Sequence, residues 1–272
     1  MKSKIAVIVL LVWIAGLAVG CSQNDPGAGD KKEITFGATA GPYSDQIKKG
    51  IQPILEKKGY TVKVVEFNDY IQPNQSLADG SLDANAFQHI VYLESFAKNY
   101  NLALSDLIQV PTAPIGVYSK KHKTLDEVPD NAKVALPNDP TNQARALVML
   151  RDFGWIEFNE SVDPIKVSEK DVTKYIKNIK LLPVEAAQLP RSLEDADYSF
   201  INGNFALASG LTLTEALALE DTPDQYMNLV AIKTADKDKT FAKDIEAAYR
   251  SEEFKALVEK DFQGFVKPAY MR

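Results

Sequence analysis

The chain has 272 residues but only one cysteine and two histidines. One thiol cannot close a disulfide within the chain, so packing must hold the fold. With only His89 and His122, a three-histidine metal site is excluded, and an exported zinc or manganese carrier is disfavoured. No G-x-S-x-G elbow, G-x-x-x-x-G-K-[ST] loop or G-x-G-x-x-G fingerprint occurs. That removes the commonest enzyme motifs, so neither a cofactor nor a catalytic residue is expected. Lysine and arginine total 31 against 37 acidic residues, and they form no basic block. With a net charge of −6, nucleic acid is not an expected partner.

What is present begins at the N-terminus. Lys2 and Lys4 precede an apolar run from Ile5 to Val19, and Gly20 stands directly before Cys21. This is the layout of a secretion signal. The run falls short of the roughly 20 residues of a membrane span. A lone cysteine at its end resembles a lipobox, although Ala18 stands where Leu is usual. Cys21 is therefore expected to be acylated and to tie the chain to a lipid bilayer. The competing readings are an ordinary cleaved signal or an uncleaved anchor. Removing residues 1–20 takes away two lysines and no acid, leaving 252 residues with net charge −8. That length suits two lobes better than one compact domain. Residues 21–32, rich in Gly, Asp, Asn and Lys after the cysteine, read as a flexible tether.

Strands and helices then alternate. Ile34 to Gly37 reads as a strand. A helix capped by Ser44 follows, with Ile47, Ile51, Ile54 and Leu55 on one face, and Pro53 is expected to kink it or divide it in two. Gly59 ends it, and Thr61 to Phe67 is β-branched. This βαβ unit implies a parallel sheet. A short helix capped by Asn74, a strand at Leu82 to Phe87, a helix at His89 to Tyr100 and strands at Leu107 to Val110 and Ile115 to Ser119 complete a first series. A second runs from a strand at Ala132 to Leu136 through a helix at Thr141 to Phe153. Strands at Ile179 to Val184, Tyr198 to Asn202 and Tyr226 to Lys233 follow, and two helices close the chain. In open α/β sheets ligands sit beyond strand ends, near helix starts. Three clusters occupy such places: residues 68–74, 83–93 and 137–147.

These clusters resemble the methionine-binding lipoproteins that feed bacterial ABC importers. The resemblance is carried by Tyr70-x-x-Pro73-Asn74, by Asp79-Gly80-x-Leu82-Asp83-Ala84-Asn85-x-Phe87-Gln88-His89-x-x-Tyr92-Leu93, and by Pro137-Asn138-Asp139-Pro140-Thr141-Asn142-x-x-Arg145-Ala146-Leu147. Leu-Pro-Arg-Ser-Leu at 189–193 and Ile-Asn-Gly-Asn at 201–204 extend it over nearly the whole mature chain. Val91, where Pro is frequent, and Phe205, where Tyr is common, depart from it. The resemblance implies a two-lobed, type II periplasmic-binding-protein-like α/β fold. One lobe would comprise 31–118 with 229–272, the other 119–228, with the ligand cleft between them. It implies a non-enzyme in the cell envelope that captures L-methionine and passes it to a membrane permease driven by an ATPase.

The resemblance also implies roles. Arg145 would hold the ligand carboxylate through its planar fork; the alternative is a helix-surface ion pair. Tyr70, Phe87 and Tyr92 would wall in a thioether, against plain core packing, which the residues alone favour for Tyr92. His89 would bond the ligand or cap its helix. Asn202 and Asn228 would complete the polar end, against turn positions, with Asn204 as a rival to Asn202. Asn85 and Asn142 are expected to brace loops. D-methionine, a methionine dipeptide or another apolar amino acid stand as alternative cargo. A surface lipoprotein enzyme or an adhesive lipoprotein are the remoter readings.

Overall fold

A computed structural model describes residues 31–272, which form one compact unit. The expected signal, Cys21 and the tether up to Asp30 lie outside the described residues. Among the described residues, no helix is long and apolar enough to cross a membrane.

The elements follow the expected alternation. In order they are β1 (Glu33–Thr39), α1 (Pro42–Gln46), α2 (Gln52–Lys57), β2 (Thr61–Phe67), α3 (Gln72–Asp79), β3 (Ala84–His89), α4 (Ile90–Tyr100) and β4 (Leu104–Gln109). Then come β5 (Gly116–Tyr118), β6 (Ala132–Pro137), α5 (Pro140–Asp152), β7 (Ile156–Phe158), β8 (Val172–Tyr175) and β9 (Ile179–Val184). The chain closes with α6 (Leu189–Ser192), β10 (Tyr198–Ile201), α7 (Gly203–Ala208), β11 (Ala218–Leu219), β12 (Asn228–Lys233), α8 (Thr240–Tyr249) and α9 (Glu252–Asp261).

Two five-stranded sheets result, ordered β2-β1-β3-β12-β4 and β11-β5-β10-β6-β9. In the first, β1 is parallel to β2 and β3, while β12 returns antiparallel between β3 and β4. Its core face packs Phe36, Ile47, Ile51, Leu55, Ile245 and Phe254. The second sheet keeps β9, β6 and β10 parallel and gathers Val134, Leu147, Leu150, Trp155 and Phe200. A separate small hairpin pairs β7 with β8.

The chain passes between the sheets twice, at residues 110–115 and 220–227. The two crossings run side by side. Val110 N–H donates to the Asn228 carbonyl (2.7 Å), and Glu220 N–H to the Ile115 carbonyl (2.8 Å). Gly116–Tyr118, expected in the first lobe, lies in the second sheet, and Asn228, expected in the second, opens β12 of the first. Two local expectations also change. Ser44 is inside α1, and its hydroxyl donates to Glu66 (2.6 Å) as well as to the Gly41 carbonyl. The helix start assigned to Asn74 lies earlier, where the Asp69 carboxylate accepts from Ile71 and Gln72 N–H, both at 2.7 Å. Before Pro53 the helix widens into a π turn at Ile47–Ile51, in which Gln52 N–H reaches the Ile47 carbonyl. The turn divides the helix into α1 and α2, and Pro53, which carries no N–H, sits in the first turn of α2.

Candidate functional site

A cavity lies where the strand ends of both sheets meet the crossings. It is lined by all the expected ligand contacts: Tyr70, Phe87, His89, Tyr92, Arg145, Asn202 and Asn228. Tyr43, Gln88, Thr112, Ala113, Asn142, Gly203 and Asn204 complete the wall.

One wall is aromatic. Tyr70 stacks on Phe87 with centroids 5.6 Å apart, and Tyr92 meets both edge-on at 5.9 and 6.1 Å. The Tyr92 hydroxyl donates to the Tyr70 carbonyl (3.0 Å), and the Tyr70 hydroxyl to Asn204 Oδ1 (2.7 Å). Burial drives the Tyr70 and Tyr92 phenols well above their ordinary pKa, so both remain neutral. Phe205 does not line the cavity; it packs behind Tyr70 at 5.0 Å. The departure at 205 therefore acts through Tyr70. Beside this wall, Asn74, Asn85 and Gln88 are buried and joined by side-chain hydrogen bonds of 2.6 to 3.0 Å. Asn85, expected to brace a loop, instead holds the first turn of α3, its Nδ2 donating to the Pro73 carbonyl (3.1 Å) and to Asn74 Oδ1 (2.9 Å).

The polar wall is organised by Asn142. Asp139 caps α5 by accepting from Asn142 N–H (2.9 Å), and its carboxylate also takes both Asn142 Nδ2 contacts (3.1 and 3.0 Å). The amide oxygen is thereby turned to the cavity side. It accepts from Arg145 Nη1 (2.8 Å), from Asn202 Nδ2 (2.9 Å) and from His89 Nε2 (3.4 Å). Asn142 does more than brace a loop: it sets three side chains at once.

His89 both caps and lines. Its Nδ1 accepts from Tyr92 N–H (3.1 Å), which caps α4 and leaves the proton on Nε2 for Asn142. Burial, and then the positive charge of Arg145, hold its pKa well below 6.5, so the ring is neutral. Asn202 stands at the start of α7, but its side chain does not cap. With Nδ2 committed to Asn142, its Oδ1 is buried without a partner. Native structures rarely leave such an atom unpaired. Asn228 Nδ2 donates to the Phe87 carbonyl (2.9 Å), pinning the two sides of β12 and β3 together.

Arg145 is buried, and it has a partner that the sequence did not disclose. Glu220 accepts from its Nε (2.8 Å) and Nη2 (2.5 Å), with side-chain exposures of 4% and 6%. The Tyr226 ring lies 4.9 Å from the guanidinium carbon. Neither Glu220 nor Tyr226 lies in a motif; they come from the second crossing, about 75 residues away from Arg145. Of the five guanidinium N–H groups, three are used. Two remain, one on each terminal nitrogen, without a protein partner among the described residues.

The sequence profile of the family described as NlpA lipoprotein matches residues 34–270. The chain belongs to that family. The D-methionine-binding lipoprotein MetQ of Salmonella typhi is 37% identical over 262 residues, covering 95% of each chain. The methionine-binding lipoprotein MetQ of Bacillus subtilis (strain 168) is 34% identical over 270 residues, covering 97% of this chain and 98% of its own. A solved nutrient binding protein from Burkholderia cenocepacia bound to methionine superposes with a TM-score of 0.82 at 42% identity, over 86% of this chain and 99% of that one. The fold is thus the two-lobed α/β fold of substrate-binding proteins, and these relatives are named for binding rather than for catalysis.

Proposed function

We propose that this chain is the substrate-binding lipoprotein of an ABC importer, and that its cavity captures methionine, L-methionine first. The observation that carries the reading is the pairing of Arg145 with Asn202. Both donate to the one oxygen of Asn142, so they are close neighbours. Arg145 offers two N–H groups for a carboxylate, and Asn202 offers a buried, unpartnered oxygen for an ammonium. These are the two groups on the α-carbon of an amino acid. The neutral aromatic wall beside them suits an unbranched thioether, where sulfur–ring contact adds about 0.3–1.5 kcal/mol. The lobes divide at the crossings, one built on each sheet.

The name of the Salmonella typhi relative favours D-methionine as a second reading. Titration calorimetry with each enantiomer, on protein unfolded and refolded to shed retained ligand, separates the two. Tight binding of L-methionine supports the first reading, and a clear preference for D-methionine the second. Binding of neither at millimolar concentration removes both.

The lipid anchor at Cys21 would hold the chain at the outer side of a membrane, beside the permease and its ATPase. Cys21→Ala is expected to move the protein from the membrane to the soluble fraction on cell fractionation. Retention of the variant at the wild-type level defeats the anchor reading.

A further inference from the structure

We propose that Glu220 is a specificity-determining positioning residue, which selects a zwitterion over an anion by cancelling the charge of Arg145 at the cavity wall. The inference rests on the amino-acid reading given above. Arg145 is the one side chain of permanent charge among the cavity-lining residues, and left alone it would make the cavity an anion trap. Glu220 does not line the cavity. It sits behind the guanidinium and grips it at two nitrogens, Nε and Nη2.

Glu220 is itself held. Thr222 Oγ1 donates to its Oε2 (2.9 Å), and Ile115 N–H approaches the same oxygen (3.5 Å). The Arg145 guanidinium outweighs the cost of burial and keeps the Glu220 carboxyl below its usual pKa, so the pair stays ionised. The next carboxylate, Asp139, is only half-buried at the start of α5, and its oxygens accept from Thr141 and Asn142. His89 is neutral. The positive charge in the wall is therefore matched by the negative charge directly behind it, and a ligand of zero net charge completes the site without leaving an excess.

The pair also limits reach. Glu220 and Asn142 together take three of the five N–H groups, so the ligand carboxylate meets a guanidinium of fixed orientation. Because Glu220 bonds Ile115 from the second crossing, that orientation is set by both crossings at once.

The test compares two ligands of nearly equal shape. Methionine is a zwitterion. Its α-hydroxy analogue, 2-hydroxy-4-(methylthio)butanoate, is a monoanion at neutral pH. Dissociation constants of both are measured calorimetrically for the wild type, Glu220→Gln and Glu220→Asp, each checked by circular dichroism. The wild type is expected to prefer methionine. In Glu220→Gln the unopposed guanidinium repels the ammonium of methionine and not the hydroxyl, so the ratio of the two constants is expected to shift toward the hydroxy acid by tenfold or more. Glu220→Asp keeps the charge and is expected to keep the ratio within about threefold of the wild type, even if both ligands weaken.

A Glu220→Gln ratio within threefold of wild type overturns the inference, whether both affinities persist or both fall together. So does an equal shift in Glu220→Asp. If Glu220→Gln does not fold, Glu220→Asp decides: a held ratio supports the charge role, and a shifted one overturns it. If the wild type binds no methionine at all, the amino-acid reading has failed rather than this inference.

Discussion

At the scale of single residues, the Arg145–Glu220 pair shows how a binding group can also be a structural liability. Arg145→Ala removes the carboxylate anchor, and it also leaves Glu220 buried without a counter-ion. Breaking a buried pair from one side costs on the order of 3–5 kcal/mol. The single variant is therefore expected to lose stability as well as affinity, and its binding loss alone is ambiguous. The double variant Arg145→Gln, Glu220→Gln removes both charges. It is expected to recover most of the lost stability while methionine affinity stays down by about two orders of magnitude or more. Denaturant unfolding and calorimetry on the three proteins check this. Wild-type affinity in the folded double variant would show that backbone or asparagine groups hold the carboxylate. Arg145 was legible in the sequence because it lies in a dense motif at a helix start. Glu220 was not, because its role depends on a fold contact across 75 residues and no local spacing marks it. Asn202 was legible as a polar residue at a strand end, but its empty oxygen is visible only once Asn142 has claimed its nitrogen.

At the scale of elements, the start of α4 joins local structure to the site. His89 ends β3, caps α4 through Nδ1 and reaches Asn142 through Nε2. Its folded pKa is depressed below 6.5 by burial and by Arg145. The unfolded chain therefore takes up the proton first. The sign follows: stability is complete above pH 6.5 and falls as the pH drops below it, by up to about 1.4 kcal/mol per pH unit for one proton. His89→Asn keeps a side-chain acceptor suited to a helix start and removes the titration. Its melting temperature is expected to vary less between pH 6.5 and about 5 than that of the wild type. Parallel curves for the two proteins would assign the acid loss to other groups. Elements with strong periodicity, such as α5, β2 and β9, were readable to within a few residues. The pair of β7 and β8 was not, since its strands are only three and four residues long. The start of α7 was hidden too. Gly203 there lets the chain approach the first crossing, where an added Cβ would fall 2.5 Å from both Ala113 Cβ and the Pro114 carbonyl oxygen.

At the scale of the whole molecule, two α/β series announced two sheets, and the family resemblance returned residues 229–272 to the first, but nothing in the sequence placed β12 between β3 and β4. That step has no local signature, because antiparallel insertion depends on which sheet edge is open. It is also what places the two crossings together and puts the cavity beside them. The cavity is lined from both halves: Tyr70, Phe87 and Asn228 beside the first sheet, Arg145, Asn202 and Asn204 beside the second. Binding is therefore expected to stabilise the unit as a whole, since opening either sheet destroys the site. Methionine at about 100 times its dissociation constant adds about 2.7 kcal/mol. For a unit of this size that raises the melting temperature by about 5–11 °C. The same addition to the Arg145→Gln, Glu220→Gln double variant, at the same methionine concentration, is expected to give little shift, because a hundredfold weaker site is at most about half filled and gains about 0.4 kcal/mol or less. A scanning melt of both proteins, with and without methionine, reads this directly. Equal shifts would mean that methionine stabilises through some surface other than this cavity. A wild-type shift confined to a fraction of the unfolding transition would mean that the two sheets melt separately and that the ligand bridges them only weakly.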